Sequence, residues 1–195
     1  MITQRLKEET RPNHEHTEEI AYSKEIMSRT LTAEEYKKLI TNTYFVHSVI
    51  ENQVEKIDAL LNDSDLELDT RKKSHLLEKD LQNLGLEVAN ISTPSIEFKI
   101  STLEEALGAM YVLEGSTLGG MYIYKALQRN PNLEKENISE FNYYNCYGEA
   151  TRDRWAKFQE VLIKYAANKE SEDAIVENAK RTFDYLSEVF QASKN

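Results

Sequence analysis

The stretch YVLEGSTLGG, Tyr111–Gly120, holds three of the chain's six glycines. It stands between LEEALGAM (Leu103–Met110) and MYIYKAL (Met121–Leu127), and both flanks read as helix. TLEE, Thr102–Glu105, has the form of a capping box that starts this helix, and the apolar spacing carries it to about Gln128. A glycine inside a helix costs roughly 0.8–1 kcal/mol relative to alanine. Gly115, Gly119 and Gly120 therefore need a reason. Gly115 and Gly119 are four apart and share a face, with Ser116 and Gly120 on the neighbouring stripe. Two readings are structural: another helix packs closely on small residues, or the helix simply kinks. The third is that something flat lies against the backbone itself, where no side chain intervenes.

Helical periodicity runs through the rest of the chain. Six glycines and three prolines in 195 residues, with little polar–apolar alternation, place it in the all-α class. A first helical pattern covers about Thr3–Ser28, and Pro12 inside it predicts a kink or a restart. TAEE, Thr32–Glu35, is a second capping box, with Leu31 and Tyr36 as its hydrophobic staple. Tyr36, Leu39, Ile40, Thr43, His47, Ile50, Val54, Ile57 and Leu61 follow at helical spacing. Asn62–Asp69 reads as a loop, and a helix over about Arg71–Leu84 is stopped by Gly85. Val88–Ser101 reads as a connector and Asn130–Asn137 as a turn. FNYYNCYGE, Phe141–Glu149, is short and ambiguous, aromatic at Phe141, Tyr144 and Tyr147. Thr151 is expected to cap a helix to about Ala167. A last helix, about Glu172–Ala192, turns Ile175, Ala179, Phe183, Leu186 and Phe190 inward. No repeat or composition shift divides the chain, so one domain over residues 1–195 is expected.

Composition removes several function classes. A net charge of −10 argues against nucleic acid as a partner, because phosphate binding needs a basic surface. No window approaches the roughly 18–20 apolar residues of a membrane span, and no basic amphipathic stretch suggests membrane attachment. The polar N-terminus lacks the apolar core of a secretory signal, so a cytoplasmic protein is expected. Without a large exposed apolar stripe, a monomer is expected. The single cysteine, Cys146, excludes an internal disulfide and a thiolate-rich metal site, and reads as a half-buried structural thiol.

The N-terminal segment LKEETRPNHEHTEE, Leu6–Glu19, bears on the choice left open at the glycines. His14 and Glu18 are four apart, and a carboxylate beside an imidazole fixes the ring's tautomer and orientation. His16 is two residues on and points to nearly the opposite side, so the two histidines cannot chelate one ion from a regular helix. Lys7 and Arg11 fall on the stripe of His14 and Glu18. This set suits a ligand with a metal centre and anionic arms. An ordinary surface histidine beside a solvated basic face presents the same residues.

Taken together, LKEETRPNH followed by Glu18, and YVLEGSTLGG about a hundred residues later, resemble the heme oxygenases. The resemblance is closest to the bacterial biliverdin-producing branch that often accompanies bacterial phytochromes. LLEKDLQNLG (Leu76–Gly85) and VENAKRTFDYLSEVF (Val176–Phe190) resemble further segments of that branch, so nearly the whole chain is covered. The resemblance implies a helical fold that holds heme between a proximal and a distal helix. It makes His14 the iron ligand with Glu18 beside it, and puts Lys7 and Arg11 where heme propionates are met. Gly115, Ser116, Gly119 and Gly120 fall on the distal helix, whose glycines give a kink over the heme face. Phe183 and Phe190 match apolar positions near the heme, though phenylalanines at this spacing are also ordinary core. Arg152 and Arg154 are candidates for a second propionate contact or for a solvent-facing role.

The implied activity is oxidative opening of heme with O2 and electrons, giving biliverdin, carbon monoxide and ferrous iron. Heme is then both substrate and cofactor, and ferredoxin or a flavoprotein reductase supplies the electrons. One departure stands out. Ser116 occupies the position where mammalian-type members carry an aspartate that organises distal water; the bacterial branch commonly lacks that aspartate too, and the route of proton delivery is left unassigned. Two other readings stay open: a heme-binding or heme-trafficking protein without turnover, and a non-heme di-iron oxidase on the same fold. His47 and Glu51 share a helix face and could serve the latter, but the chain has no Glu-x-x-His pair of the kind such sites use. His47 reads instead as a buried or hydrogen-bonded histidine, and His75 as a surface residue.

Overall fold

The computed structural model describes residues 1–91 and 94–193; Ser92 and Thr93 of the expected connector lie outside the described residues. The described chain is helical, with no strand among the described residues. The helices are α1 (Ile2–Glu9), α2 (Arg11–Ile20), α3 (Ser23–Ser28), α4 (Ala33–Val54), α5 (Asp58–Leu61), α6 (Ser74–Asn83), α7 (Leu103–Leu127), α8 (Pro131–Lys135), α9 (Thr151–Tyr165) and α10 (Lys169–Ala192). Among the described residues none is long and apolar enough to cross a membrane.

Both capping boxes form. Thr32 Oγ1 accepts from Glu35 N at 3.2 Å while Thr32 N donates to the Glu35 carboxylate at 2.8 Å, and Thr102 and Glu105 repeat the arrangement at the start of α7. Pro12 sits in the first turn of α2, where its missing N–H is harmless, so the N-terminal pattern restarts after Thr10. Gly85, at φ +70°, terminates the helix before it as a C′ glycine does.

Four expectations need correction. α4 ends at Val54 because Ile57 is extended (φ −89°, ψ 97°); α5 then begins anew, which buries Leu60 and leaves Leu61 exposed. Arg71–Lys73 is not helical: a 3-10 turn over Leu68–Arg71 is followed by extended backbone at Lys72. The supposed turn at Asn130 is a short helix, α8, with Pro131 in its first turn and the Asn130 side chain accepting from Asn132 N and Leu133 N. Thr151 is the first residue of α9 rather than its cap, and its hydroxyl donates to Gly148 O at 2.8 Å.

The centre of the fold is the contact of α7 with α10. Gly108 makes it possible. A Cβ at this position would lie 2.5 Å from Ile175 O and 2.8 Å from Ala179 N, so only hydrogen lets the two backbones approach this closely. Ile175, Ala179 and Phe183 of α10 join Leu107, Met110 and Leu113 of α7 in one apolar cluster. A second cluster gathers Leu31, Tyr36 and Leu39 with Leu127, Leu133, Phe141 and Phe190.

Beneath α7 lies a buried ionic group. Glu114, Arg71 and Lys73 are each at most 3% exposed. Arg71 Nη1 and Lys73 Nζ each reach a different Glu114 oxygen at 2.5 Å, and Tyr147 OH donates to the same carboxylate at 2.9 Å. Burial by itself would raise the Glu114 pKa, but the two cations outweigh it and hold the group ionised. The remaining donors are used too: Arg71 Nε reaches Leu66 O at 2.6 Å and Lys73 Nζ reaches Arg71 O at 2.9 Å.

Two outcomes follow for stability, both read by chemical denaturation. Gly108→Ala should cost about 1–3 kcal/mol despite the better helix propensity of alanine, because the added carbon meets backbone rather than a movable side chain. Glu114→Gln should cost about 3–5 kcal/mol by leaving two buried cations without a counter-charge. A loss under about 1 kcal/mol, the range of a surface pair, would contradict the buried ionic role.

Candidate functional site

Further along α7 the glycines have a different environment. A Cβ on Gly119 would meet nothing within 4 Å, and one on Gly115 would meet only the Trp155 ring, at 3.5 Å. Neither glycine is required by packing within the chain, in contrast to Gly108. Gly120 turns the other way: its Cβ would come within 3.2 Å of Tyr144 O, so it serves the contact of α7 with the aromatic turn at Tyr143–Asn145. Ser116 and Gly119 are exposed, as are the larger neighbours Leu118 and Tyr122 (36% and 63%). The three glycines thus divide between an open face, Gly115 and Gly119, and an internal packing contact, Gly120.

α2 also has an unfilled surface. None of its residues is buried, although it leans on α10. Asn13 Nδ2 donates to Asp184 Oδ1 at 2.8 Å, and Thr17 Oγ1 lies 3.1 Å from Ser187 Oγ. The His14 ring meets the ring of Phe183 edge-on, with centroids 5.7 Å apart, and its Nδ1 lies 3.6 Å from Glu18 Oε2. That is too long for a good hydrogen bond but close enough for the carboxylate to orient the ring. Both side chains remain more than half exposed (54% and 56%). His16 reaches Gln191 instead, at 3.4 Å.

The other expected contacts are placed less simply. Lys7 lies on α1 and Arg11 on α2, so the single basic stripe is interrupted at Thr10. Lys7 is exposed, and Arg11 pairs with Glu15 at 2.7 Å. Phe183 is next to His14, whereas Phe190 lies in the second core cluster, where packing accounts for it. Arg154 is held by Glu67 at 2.5 Å and by Thr70, and lies over the Tyr147 ring. Arg152 is exposed.

Behind the glycine face a polar chain leads into the interior. Ser116 Oγ is 3.5 Å from Tyr143 OH, Tyr143 OH is 3.0 Å from His47 Nε2, and His47 Nδ1 is 2.9 Å from Glu51 Oε1. Burial lowers the His47 pKa and keeps the ring neutral, and pushes the Tyr143 hydroxyl up to about 12. Glu51 is held well below the usual carboxylate range, against the effect of burial, by the ring and by the backbone N–H groups of Lys73 and Ser74. Every donor and acceptor of His47 is therefore used within the protein. This speaks against the di-iron reading, and among the described residues no group of three or more His, Cys, Asp or Glu is placed to hold a metal ion. Tyr143 is the residue that sequence reasoning missed. It sits in FNYYNCYGE among Phe141, Tyr144 and Tyr147, the aromatics noted there, and only the 3-10 turn aims it at His47.

The open faces have the chemistry that heme requires. A flat macrocycle needs close backbone approach, which Gly115 and Gly119 permit, and its iron needs a nitrogen donor not already taken, which exposed His14 offers. Comparison with known proteins agrees. The chain matches the heme oxygenase family model over residues 1–192. A search of curated proteins finds no significant match. Among solved structures, the NO- and CO-bound heme oxygenase from Neisseria meningitidis is 22% identical, with a TM-score of 0.77 over 99% of this chain and 92% of that one. Heme oxygenase-1 of the cyanobacterium Synechocystis, in complex with heme, is 17% identical, with a TM-score of 0.79 over 98% of this chain and 91% of its own. The heme oxygenase from Leptospira interrogans is 20% identical, with a TM-score of 0.81 over 98% of both chains. These likenesses carry the fold, and the family model over residues 1–192 carries the assignment: the chain belongs to the heme oxygenase family.

Proposed function

We propose that this protein binds heme between α2 and the glycine-bearing half of α7 and opens the ring to biliverdin, with release of carbon monoxide and ferrous iron. The observation that carries the reading is the open face at Gly115 and Gly119, whose glycines nothing inside the protein explains. Bound heme supplies the iron chemistry that activates O2 with delivered electrons. The chain's own residues bind and orient. His14 would hold the iron through a ring nitrogen, steadied by Glu18 and by the edge of Phe183. Gly115 and Gly119 would present backbone rather than side chains to the ring, with the Ser116 hydroxyl on the adjacent stripe. Lys7 is exposed and available to a propionate; Arg11 would exchange Glu15 for one. Ferredoxin or a flavoprotein reductase is the proposed electron donor, and a monomer in the cytoplasm the proposed state.

Absorption titration with hemin, followed by reductant in air, tests the reading. A saturable one-to-one Soret band that gives way to biliverdin is the expected result. A band that persists without bleaching would identify a heme carrier, and no saturable binding would refute the site. In His14→Ala the ferric heme spectrum should change and added imidazole should restore it. An unaltered spectrum would remove His14 as the iron ligand.

A further inference from the structure

Between α4 and α7 the structure leaves a cavity of about 20 Å3. Its apolar wall is Ile50 and Val54 of α4, Leu68 of the 3-10 turn, and Met110 and Leu113 of α7. Each of these residues is at most 7% exposed. Leu113 stands two residues before Gly115. At about 100° per residue, the cavity and the glycine face therefore lie on nearly opposite sides of α7.

Glu51, Arg71, Lys73 and Glu114 also line the cavity, but their polar atoms are engaged elsewhere. Arg71 Nε donates to Leu66 O, and its two terminal nitrogens reach Glu114 and Arg154 O. Lys73 Nζ donates to Arg71 O and to Glu114. Both Glu114 oxygens serve these cations and the Tyr147 hydroxyl. Both Glu51 oxygens serve His47 and the N–H groups of Lys73 and Ser74. What these residues turn to the cavity is therefore their aliphatic stems. Glu55 and Lys72, paired at 2.7 Å and each about a third exposed, carry the lining out to the surface.

Size does not keep water out, since one molecule needs roughly 10–15 Å3 of such space. Partners do. A buried water is held by two to four hydrogen bonds, and here every nearby donor and acceptor is already paired. An apolar guest needs none, and it restores the dispersion contacts that wall atoms lose beside a void. The paired charges of Arg71, Lys73 and Glu114 brace the wall, so the space does not close by a small shift of side chains. We propose that this cavity is a binding site for one small apolar gas molecule, of the class to which O2 and CO belong. The site stands on the cavity alone. Its use in turnover rests on the heme oxygenase reading, in which O2 is consumed and CO released. For that reaction it gives a gas molecule a place inside the fold but off the glycine face.

Methyl-labelled, heme-free protein tests the site by carbon NMR under xenon. With rising pressure the methyl signals of Ile50, Val54, Leu68, Met110 and Leu113 should shift along one saturable curve. Methyls of the second core cluster, such as Leu39 and Leu133, should stay in place. CO should then shift the cavity methyls, and paramagnetic O2 should broaden them; whichever acts there names the gas, and action by neither would overturn the proposal. Val54→Ile adds one methylene to the wall and keeps the branching. It should hold or raise the urea midpoint and bind xenon at least about tenfold more weakly. Unsaturable shifts spread over the whole protein would overturn the site. So would a water in contact with these methyls by nuclear Overhauser effect, or undiminished xenon binding in folded Val54→Ile. Failure of the unmodified protein to bind hemin would instead overturn the oxygenase reading, so the two failures are distinct.

Discussion

At Gly108 helix α7 meets α10 backbone against backbone, with no room for even one added carbon. The remainder of the site is referred to this contact. α10 carries α2, and with it His14, through Asn13–Asp184 and Thr17–Ser187. α7 carries Gly115, Ser116 and Gly119 about two to three turns further along. Because both faces are fixed to the same pair of helices, the distance between them is set by core packing and not by the ligand. Rigid support of this kind is what a ring-binding site needs, since α2 itself buries no residue.

The buried ionic group fixes the other side of α7. Glu114 lies on the turn immediately before Gly115 and gathers Arg71, Lys73 and Tyr147 from two separate irregular segments. Those segments also bring the donors to Glu51 and position the turn that contains Tyr143. The polar interior is therefore continuous: one half holds the loops in place through full charges, and the other half runs to the glycine face through neutral groups. Charge is concentrated where it is paired, and the stretch nearest the ring site is uncharged apart from Glu51. Separation of this kind limits the desolvation that a bound, partly anionic ligand would meet.

Much of the fold was legible because its signals are local. The two capping boxes, the restart at Pro12 and the stop at Gly85 each depend on a few neighbouring residues, and each forms as read. The site was legible in part. His14, Glu18 and the glycine cluster stand out by type and spacing, and the resemblance to heme oxygenases adds weight to them. What could not be read depends on irregular backbone. Arg71–Lys72–Lys73 reads as the first turn of a helix, yet extended backbone at Lys72 turns Arg71 and Lys73 to the same buried side and Lys72 outward to Glu55. Tyr143 is likewise invisible to periodicity, because a 3-10 turn and not a helix aims it. Gly108 and Gly119 are the same letter in one helix, and only their surroundings tell packing from opening.

The central claim is that the face at Gly119 is open for a ligand and not for want of packing. Hemin titration of Gly119→Leu beside Gly119→Ala tests it most directly, with urea denaturation to confirm that both fold. Alanine adds one carbon to empty space and should bind hemin within about threefold of the unmodified protein, while gaining up to about 1 kcal/mol of stability from helix propensity. Leucine should keep the stability but fill the space, weakening hemin binding by at least about tenfold, or 1.4 kcal/mol. A Gly119→Leu protein that binds and turns over heme like the unmodified one would place the heme elsewhere.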